Sequence, residues 1–192
     1  MPSDNTLETT ATTQCCQPQS IPSLSNIPGS DEYDFLVIGD GSGYLDHLGG
    51  FGAVTISSKH PKLTYERSFG CSTHAETGRA EFMALLTAMH AIIETCDLEH
   101  SSKLELLEAR KPVIYLLSDR MDLVGSILKL YRRKTNRDLW AMFEWYEKYF
   151  TIKAAHIPRD TFEIHKAVDA IASEMRMVLL DFHKTQVSVE NI

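Results

Sequence analysis

Four carboxylates stand out in this chain of 192 residues for what lies around them: Asp40, Glu81, Asp119 and Asp169. Asp40 follows the apolar run Phe35-Leu36-Val37-Ile38. Asp119 follows Val113-Ile114-Tyr115-Leu116-Leu117 and Ser118. Each run reads as a strand buried on both faces, and in an open α/β sheet ligands gather where such strands end. Glu81 lies near the start of an amphipathic segment. Asp169 lies among Val168, Ile171 and Ala172, a poor place for a purely structural acid. Carboxylates drawn together from separate elements repel one another, and a hard divalent cation removes that repulsion. Mg2+ or Mn2+ suits such oxygen donors. A pair of ions can activate a water and stabilise the leaving oxygen of a phosphodiester. Each acid also has a plain explanation: a turn residue, a helix-dipole partner, an N-cap, an exposed helix position. All four plain explanations must hold at once for the chemistry to be absent.

The elements that would position these acids follow from local pattern. Gly39-Asp40-Gly41-Ser42-Gly43 reads as a turn-rich stop after the first strand. Gly49 to Ile56 predicts a second strand with close backbone approach at its glycines. Leu63 to Phe69 alternates and predicts a third. Arg79 to Thr95 carries Phe82, Leu85, Leu86, Met89, Ile92 and Ile93 at helical spacing. Asp97 to Lys111 is ambiguous, with a short helix possible at Leu104 to Ala109. Beyond the fourth strand, helices are expected at Leu123 to Tyr131 and Asp138 to Phe150. A strand follows at Thr151 to Ile157, then a last helix from Phe162 to about Phe182. The order βββ-α-β-α(α)-β-α implies an α/β fold, a mixed five-stranded sheet with helices on both faces.

Composition bounds the rest. Residues 1–30 are polar and aperiodic and read as a disordered arm, 31–184 as one folded domain, and 185–192 as a tail. The net charge of −7 is unusual for a nucleic-acid binder. The region from Arg120 to Asp160 departs from it, with nine Lys or Arg against five Asp or Glu. Arg120, Arg132, Arg133, Lys134 and Arg137 are the candidate phosphate contacts, and a solvated helix end is the plain alternative. Cys15, Cys16, Cys71 and Cys96 form no metal-binding spacing and read as reduced thiols. With no signal-like or membrane-length apolar run, the expected setting is soluble and cytoplasmic, with no membrane partner.

At four places the sequence resembles the ribonuclease H-like superfamily, its type 1 ribonuclease H branch in particular, across about residues 34–180. Ile38-Gly39-Asp40-Gly41-Ser42-Gly43, with Gly49-Gly50-Phe51-Gly52-Ala53-Val54, is similar to that family's first two strands. Gly78-Arg79-Ala80-Glu81 resembles its Arg-Ala-Glu helix start, and Tyr115 to Asp119 its strand-four Ser/Thr-Asp block. His156-Ile157-Pro158-Arg159, with His165 to Ala172, resembles its His-Val-Pro-Arg segment and last helix. The resemblance implies a metal-dependent endonuclease acting on the RNA strand of an RNA/DNA hybrid. In that reading Asp40, Glu81, Asp119 and Asp169 hold two Mg2+ or Mn2+ ions. The resemblance also places Gly41, Ser42, Gly43 and Glu81 where a ribose 2′-hydroxyl would sit. Departures are visible. Arg120 stands where the family usually has Ser, Thr77 and Gly78 where it often has Asn, and His165 where the last block has Asn. The metal set is complete while the substrate-reading surface is altered.

A histidine near the last acid can shuttle protons at neutral pH, so His156 and His165 are both candidates; a locally hydrogen-bonded histidine is the alternative. Other classes fit less well. An actin-like phosphate loop needs two such domains, and a proofreading exonuclease needs an acid where Ser42 stands. The serious rival is a non-catalytic binding module of the same fold, recruited through its arm or through Trp140 and Trp145.

Overall fold

The computed structural model describes residues 33–43, 47–57, 59–63, 65–96, 110–159 and 162–190. Five strands run β1 Phe35–Ser42, β2 Gly49–Ile56, β3 Glu66–Ser72, β4 Val113–Ser118 and β5 Thr151–His156. The helices are α1 Thr77–Thr95, α2 Met121–Ile127, α3 Arg137–Tyr146 and α4 Glu163–Glu190. The sheet order is β3-β2-β1-β4-β5. The β1-β2-β3 meander is antiparallel, and β4 and β5 add in parallel through helical crossovers. The expected mixed sheet of five strands is therefore present. The proposed arm at 1–30 and the segment Leu104 to Ala109 lie outside the described residues, as do Cys15 and Cys16.

Alternation along the central strands divides the core into two layers. Phe35 and Val37 of β1, with Ile114 and Leu116 of β4, pack beneath α1, α2 and α3 against Phe82, Leu85, Met89, Ile92 and Phe143. Leu36, Ile38, Tyr115 and Leu117 face the other way and meet Ile164 and Val168 of α4. Both sheet faces are covered, which explains why the strand sequences are apolar without a break.

Several boundaries differ from those expected. β1 continues through Gly39, Asp40 and Gly41, pairing Asp40 with Gly52, so these glycines belong to a strand and not to a turn. A Cβ at Gly41 would lie 2.2 Å from the Glu81 amide nitrogen, and only glycine lets α1 approach so closely. β3 begins at Glu66 because Tyr65 has a left-handed φ of 70°, and Leu63 is buried in a short 3-10 turn. α2 stops at Ile127, where Lys129 takes a φ of 62° and the Gly125 carbonyl accepts from both Leu130 and Tyr131. α3 ends four residues before Phe150, and α4 continues past Phe182 and past position 184 to Glu190.

Among the described residues no helix is long and apolar enough to cross a membrane. Cys71 and Cys96 are free thiols.

Candidate active site

β1 and β4 are parallel neighbours, and their ladder ends at the pair Ile38 and Leu117. Beyond that pair the two strands present Asp40 and Asp119 side by side. Alternation puts Asp40 on the same face as Leu36 and Ile38, the face covered by α4. His165 comes down from α4 onto that face. One ligand atom each from Asp40, Asp119 and His165 lie within 4.8 Å of one another. His165 Nε2 is 3.9 Å from Asp40 Oδ2, and both side chains are 1% exposed.

The Asp40 carboxylate is held at one oxygen only. Oδ1 accepts the Gly41 amide at 2.7 Å. Oδ2, like Oδ1 of Asp119, is buried and has no hydrogen-bond partner among the described residues. Burial without such a partner is costly for a carboxylate. It raises the Asp40 pKa to about 7, with the charges of Asp119 and Asp169 adding to the shift and the Gly41 amide and Arg159 opposing it. Hard, partnerless carboxylate oxygens on two residues of one tight cluster fit a divalent cation well.

Glu81 lies one full turn inside α1 and is 3% exposed. Its Oε2 accepts the Ser118 hydroxyl at 2.9 Å, and Ser118 Oγ accepts in turn from the Arg120 amide at 3.1 Å. Burial, then the charges of Asp119 and Asp40, raise its pKa to about 9. Asp169 is half-buried and accepts from Arg159 Nη2 at 3.1 Å, while Arg159 Nε lies 3.7 Å from Asp119 Oδ2. Arg159 thus bridges two of the four acids. Asp119 is not a helix cap. Arg120 holds the N-cap position of α2, and no side chain caps it. His156 donates from Nε2 to the Asp119 carbonyl at 3.0 Å, an interaction that fixes the end of β4.

A groove of about 1070 Å³ opens between the start of α1, α2, the 128–136 connection and α3; none of the four acids lines it, and its link to them is Arg120, whose charge acts on Glu81 and Asp119. Arg120, Arg132, Arg133 and Lys134 line it, and Arg137 does not. Arg132 and Lys134 are exposed. Arg133 is placed otherwise: its guanidinium lies 4.1 Å from the Trp140 ring centroid, and Nη1 is 3.1 Å from Glu144. Arg120 forks onto Asp122 at 3.0 and 2.8 Å. Gly41 is buried against α1, while Ser42 and Gly43 are half-buried at the end of β1. Trp140 is 8% exposed, with its ring 4.3 Å from Phe82, so its indole packs mainly in the core while it also lines the groove.

Three residues at this site had no role assigned from sequence. Arg79 lines the groove and pairs with Asp138, Arg159 pairs with the acids, and Ser118 holds Glu81. Arg79 and Arg159 stand inside the family-like blocks, two residues before Glu81 and next to Pro158, and that adjacency was the signal that could have found them. Ser118 immediately precedes Asp119.

No family model matches the sequence, and no curated protein sequence matches it. Solved structures do match. LC11-RNase H1 in complex with an RNA/DNA hybrid aligns with a TM-score of 0.61 at 17% identity, over 76% of this chain and 99% of that one. The N-terminal RNase H domain of a Mycobacterium tuberculosis protein aligns with a TM-score of 0.60 at 16% identity, over 78% of this chain and 97% of that one. RNase H1 from the archaeon Halobacterium salinarum aligns with a TM-score of 0.52 at 20% identity, over 73% and 96%. The chain has a ribonuclease H-like fold.

Proposed function

We propose that this protein is a divalent-metal-dependent endonuclease that hydrolyses the RNA strand of RNA/DNA hybrids. The observation that carries the reading is the convergence of Asp40, Asp119 and His165, with Glu81 and Asp169 beside them, and with Arg120 linking Glu81 and Asp119 to a groove lined by basic side chains. The structural neighbours support it, since RNase H1 enzymes recur among them and one was solved with a hybrid. Asp40 and Asp119, with Glu81 and Asp169 from the flanking helices, would hold Mg2+ or Mn2+. The ion would supply Lewis-acid stabilisation of the phosphate and an acidified water.

The chain's own groups set up the rest. Gly41 orients Asp40 through its amide, and Ser118 orients Glu81. Arg132 and Lys134 face solvent in the groove, where the backbone of a second strand would pass. The family resemblance would put Gly41, Ser42 and Gly43 close to a substrate 2′-hydroxyl. Arg159 sits between Asp119 and Asp169 as a resident positive charge.

That last contact also favours a second reading, a non-catalytic module in which Arg159 satisfies the acids permanently. One panel separates the two. Labelled hybrid, double-stranded RNA, single-stranded RNA and DNA are incubated with and without Mg2+ or Mn2+, using wild type and Asp40→Asn. Metal-dependent cleavage of the hybrid RNA strand, abolished in Asp40→Asn with the fold retained, is the expected result. Preferential cleavage of double-stranded DNA would replace the substrate assignment. No cleavage of any substrate, without a Mg2+-dependent rise in melting temperature, would favour the module.

A further inference from the structure

Resting on the metal-dependent reading above, we infer that His165 is a nitrogen ligand of the cation seat. With it, the seat is a mixed oxygen and nitrogen site that selects a transition ion such as Mn2+ over Mg2+. The four acids alone would not make this distinction.

His165 sits in the first turn of α4, between Ile164 on the core side and the exposed Lys166. Ordinary sequence logic places a histidine there at the surface, yet its side chain is 1% exposed and directed at Asp40. The distance of 3.9 Å from Nε2 to Asp40 Oδ2 is too long for a hydrogen bond. It matches two ligands flanking a common point better than a direct pair. Asp119 supplies a third ligand atom within the same 4.8 Å span. Asp40 Oδ2 and Asp119 Oδ1 are both buried with no hydrogen-bond partner among the described residues. Neither Glu81 nor Asp169 joins this tight group: Glu81 is turned to Ser118, and Asp169 to Arg159. The most compact donor set among the described residues therefore contains one imidazole.

That composition has a chemical consequence. Mg2+ takes hard oxygen ligands and keeps its waters, whereas imidazole nitrogen suits first-row transition ions. Mn2+ accepts both donor types and tolerates a mixed seat. Replacing the imidazole with an asparagine amide removes the nitrogen donor while leaving the carboxylates in place. The alternative role for His165 is that of a protonated counter-ion to Asp40. In that case it would repel a cation, and its removal would tighten binding.

The test uses the full-length protein freed of metal, with Mn2+ and Mg2+ themselves as probes. Calorimetric titration gives the affinity of each ion for wild type, His165→Asn and His165→Gln. Pulsed electron paramagnetic resonance of the Mn2+ complex reads nitrogen coupling directly in the unmutated protein. Expected are a nitrogen modulation in wild type that is absent from both variants, and a loss of roughly tenfold or more in Mn2+ affinity with a smaller change for Mg2+. Mn2+ binding without nitrogen modulation, or an unchanged Mn2+ to Mg2+ ratio in the variants, overturns the role of His165 while leaving the hydrolase reading intact. Failure of wild type to bind either ion overturns both. Because the resonance measurement needs no substitution, a variant that folds poorly does not protect the proposal.

Discussion

The acids of this site are kept in a state that water alone would not favour. Glu81 is the clearest case, since burial and two neighbouring carboxylates raise its pKa to about 9 from 4.5. A carboxyl whose folded-state pKa lies above its unfolded value binds a proton more tightly when folded. Its ionisation therefore weakens the folded state progressively from pH 4.5 upward, until the folded group itself ionises near pH 9. Asp40 acts in the same direction over a shorter window, up to about 7. In a chelator, the melting temperature should rise as pH is lowered from about 9 toward about 6. Glu81→Gln should flatten much of that slope, as seen in thermal melts at matched ionic strength. A wild-type slope of the opposite sign would show that the buried charges are already compensated. The chemistry of these residues was readable from type and spacing, because an acid after an apolar run is a local pattern. Which acids would form the tight group was not. His165 joins Asp40 and Asp119 because α4 lies across β1 and β2, and the distance from α4 to the sheet is not encoded at any one position.

At the scale of elements, the site depends on how closely α1 and α4 approach the sheet. Gly41 and Gly50 make this possible. A Cβ on Gly41 would collide with the start of α1, and one on Gly50 would lie 2.2 Å from the Ala172 carbonyl oxygen in α4. Gly41→Ala should cost about 1–3 kcal/mol as an overpacking substitution, measured by denaturant unfolding. It should also lower cleavage by more than the loss of folded protein explains, because Glu81 moves with α1. A variant with wild-type stability and turnover would show that α1 has room to shift. The close approach is legible at Gly50 within its strand but not at Gly41, since Gly-Asp-Gly-Ser-Gly has every local mark of a turn. Pairing with β2 and packing beneath α1 turned that segment into strand, a tertiary effect that local propensity cannot anticipate.

The basic groove belongs to this scale too. Arg133 is tied into the stack of Trp140 and Phe143, and Arg120 and Arg79 are engaged by Asp122 and Asp138. Of the basic side chains expected to meet phosphate in the groove, Arg132 and Lys134 are the exposed ones. Replacing both by Ala should weaken hybrid binding and lower the slope of log affinity against log salt by roughly 1 to 2, close to one for each phosphate released. Melting temperature and metal affinity should stay as in wild type. An unchanged salt slope would place the second strand elsewhere. The count of basic residues from sequence was sound. What it missed is that an arginine in such a run is often taken up by an aromatic face or a nearby acid, and this shows only once α2, the 128–136 connection and α3 are assembled.

For the whole molecule, a net charge of −7 and a basic groove coexist because Arg79, Arg120, Arg132, Arg133 and Lys134 all line one depression. The core that holds this arrangement closes on itself: among the described residues, every buried member of the two apolar clusters lies between Phe35 and Val168. The polar, aperiodic composition of residues 1–30 gives that segment no apolar face with which to join them. Deleting residues 1–30 should therefore leave the melting temperature within about 2 °C of wild type, as small surface effects do in a domain of this size. It should also leave metal affinity unchanged, since no proposed ligand lies there. Differential scanning calorimetry on the two chains checks the first point and cation titration the second. A drop of many degrees would mean that the segment packs against the domain. The exposed side chains Met177, Val178 and Phe182 on the outer part of α4 would then be the first place to look for the contact.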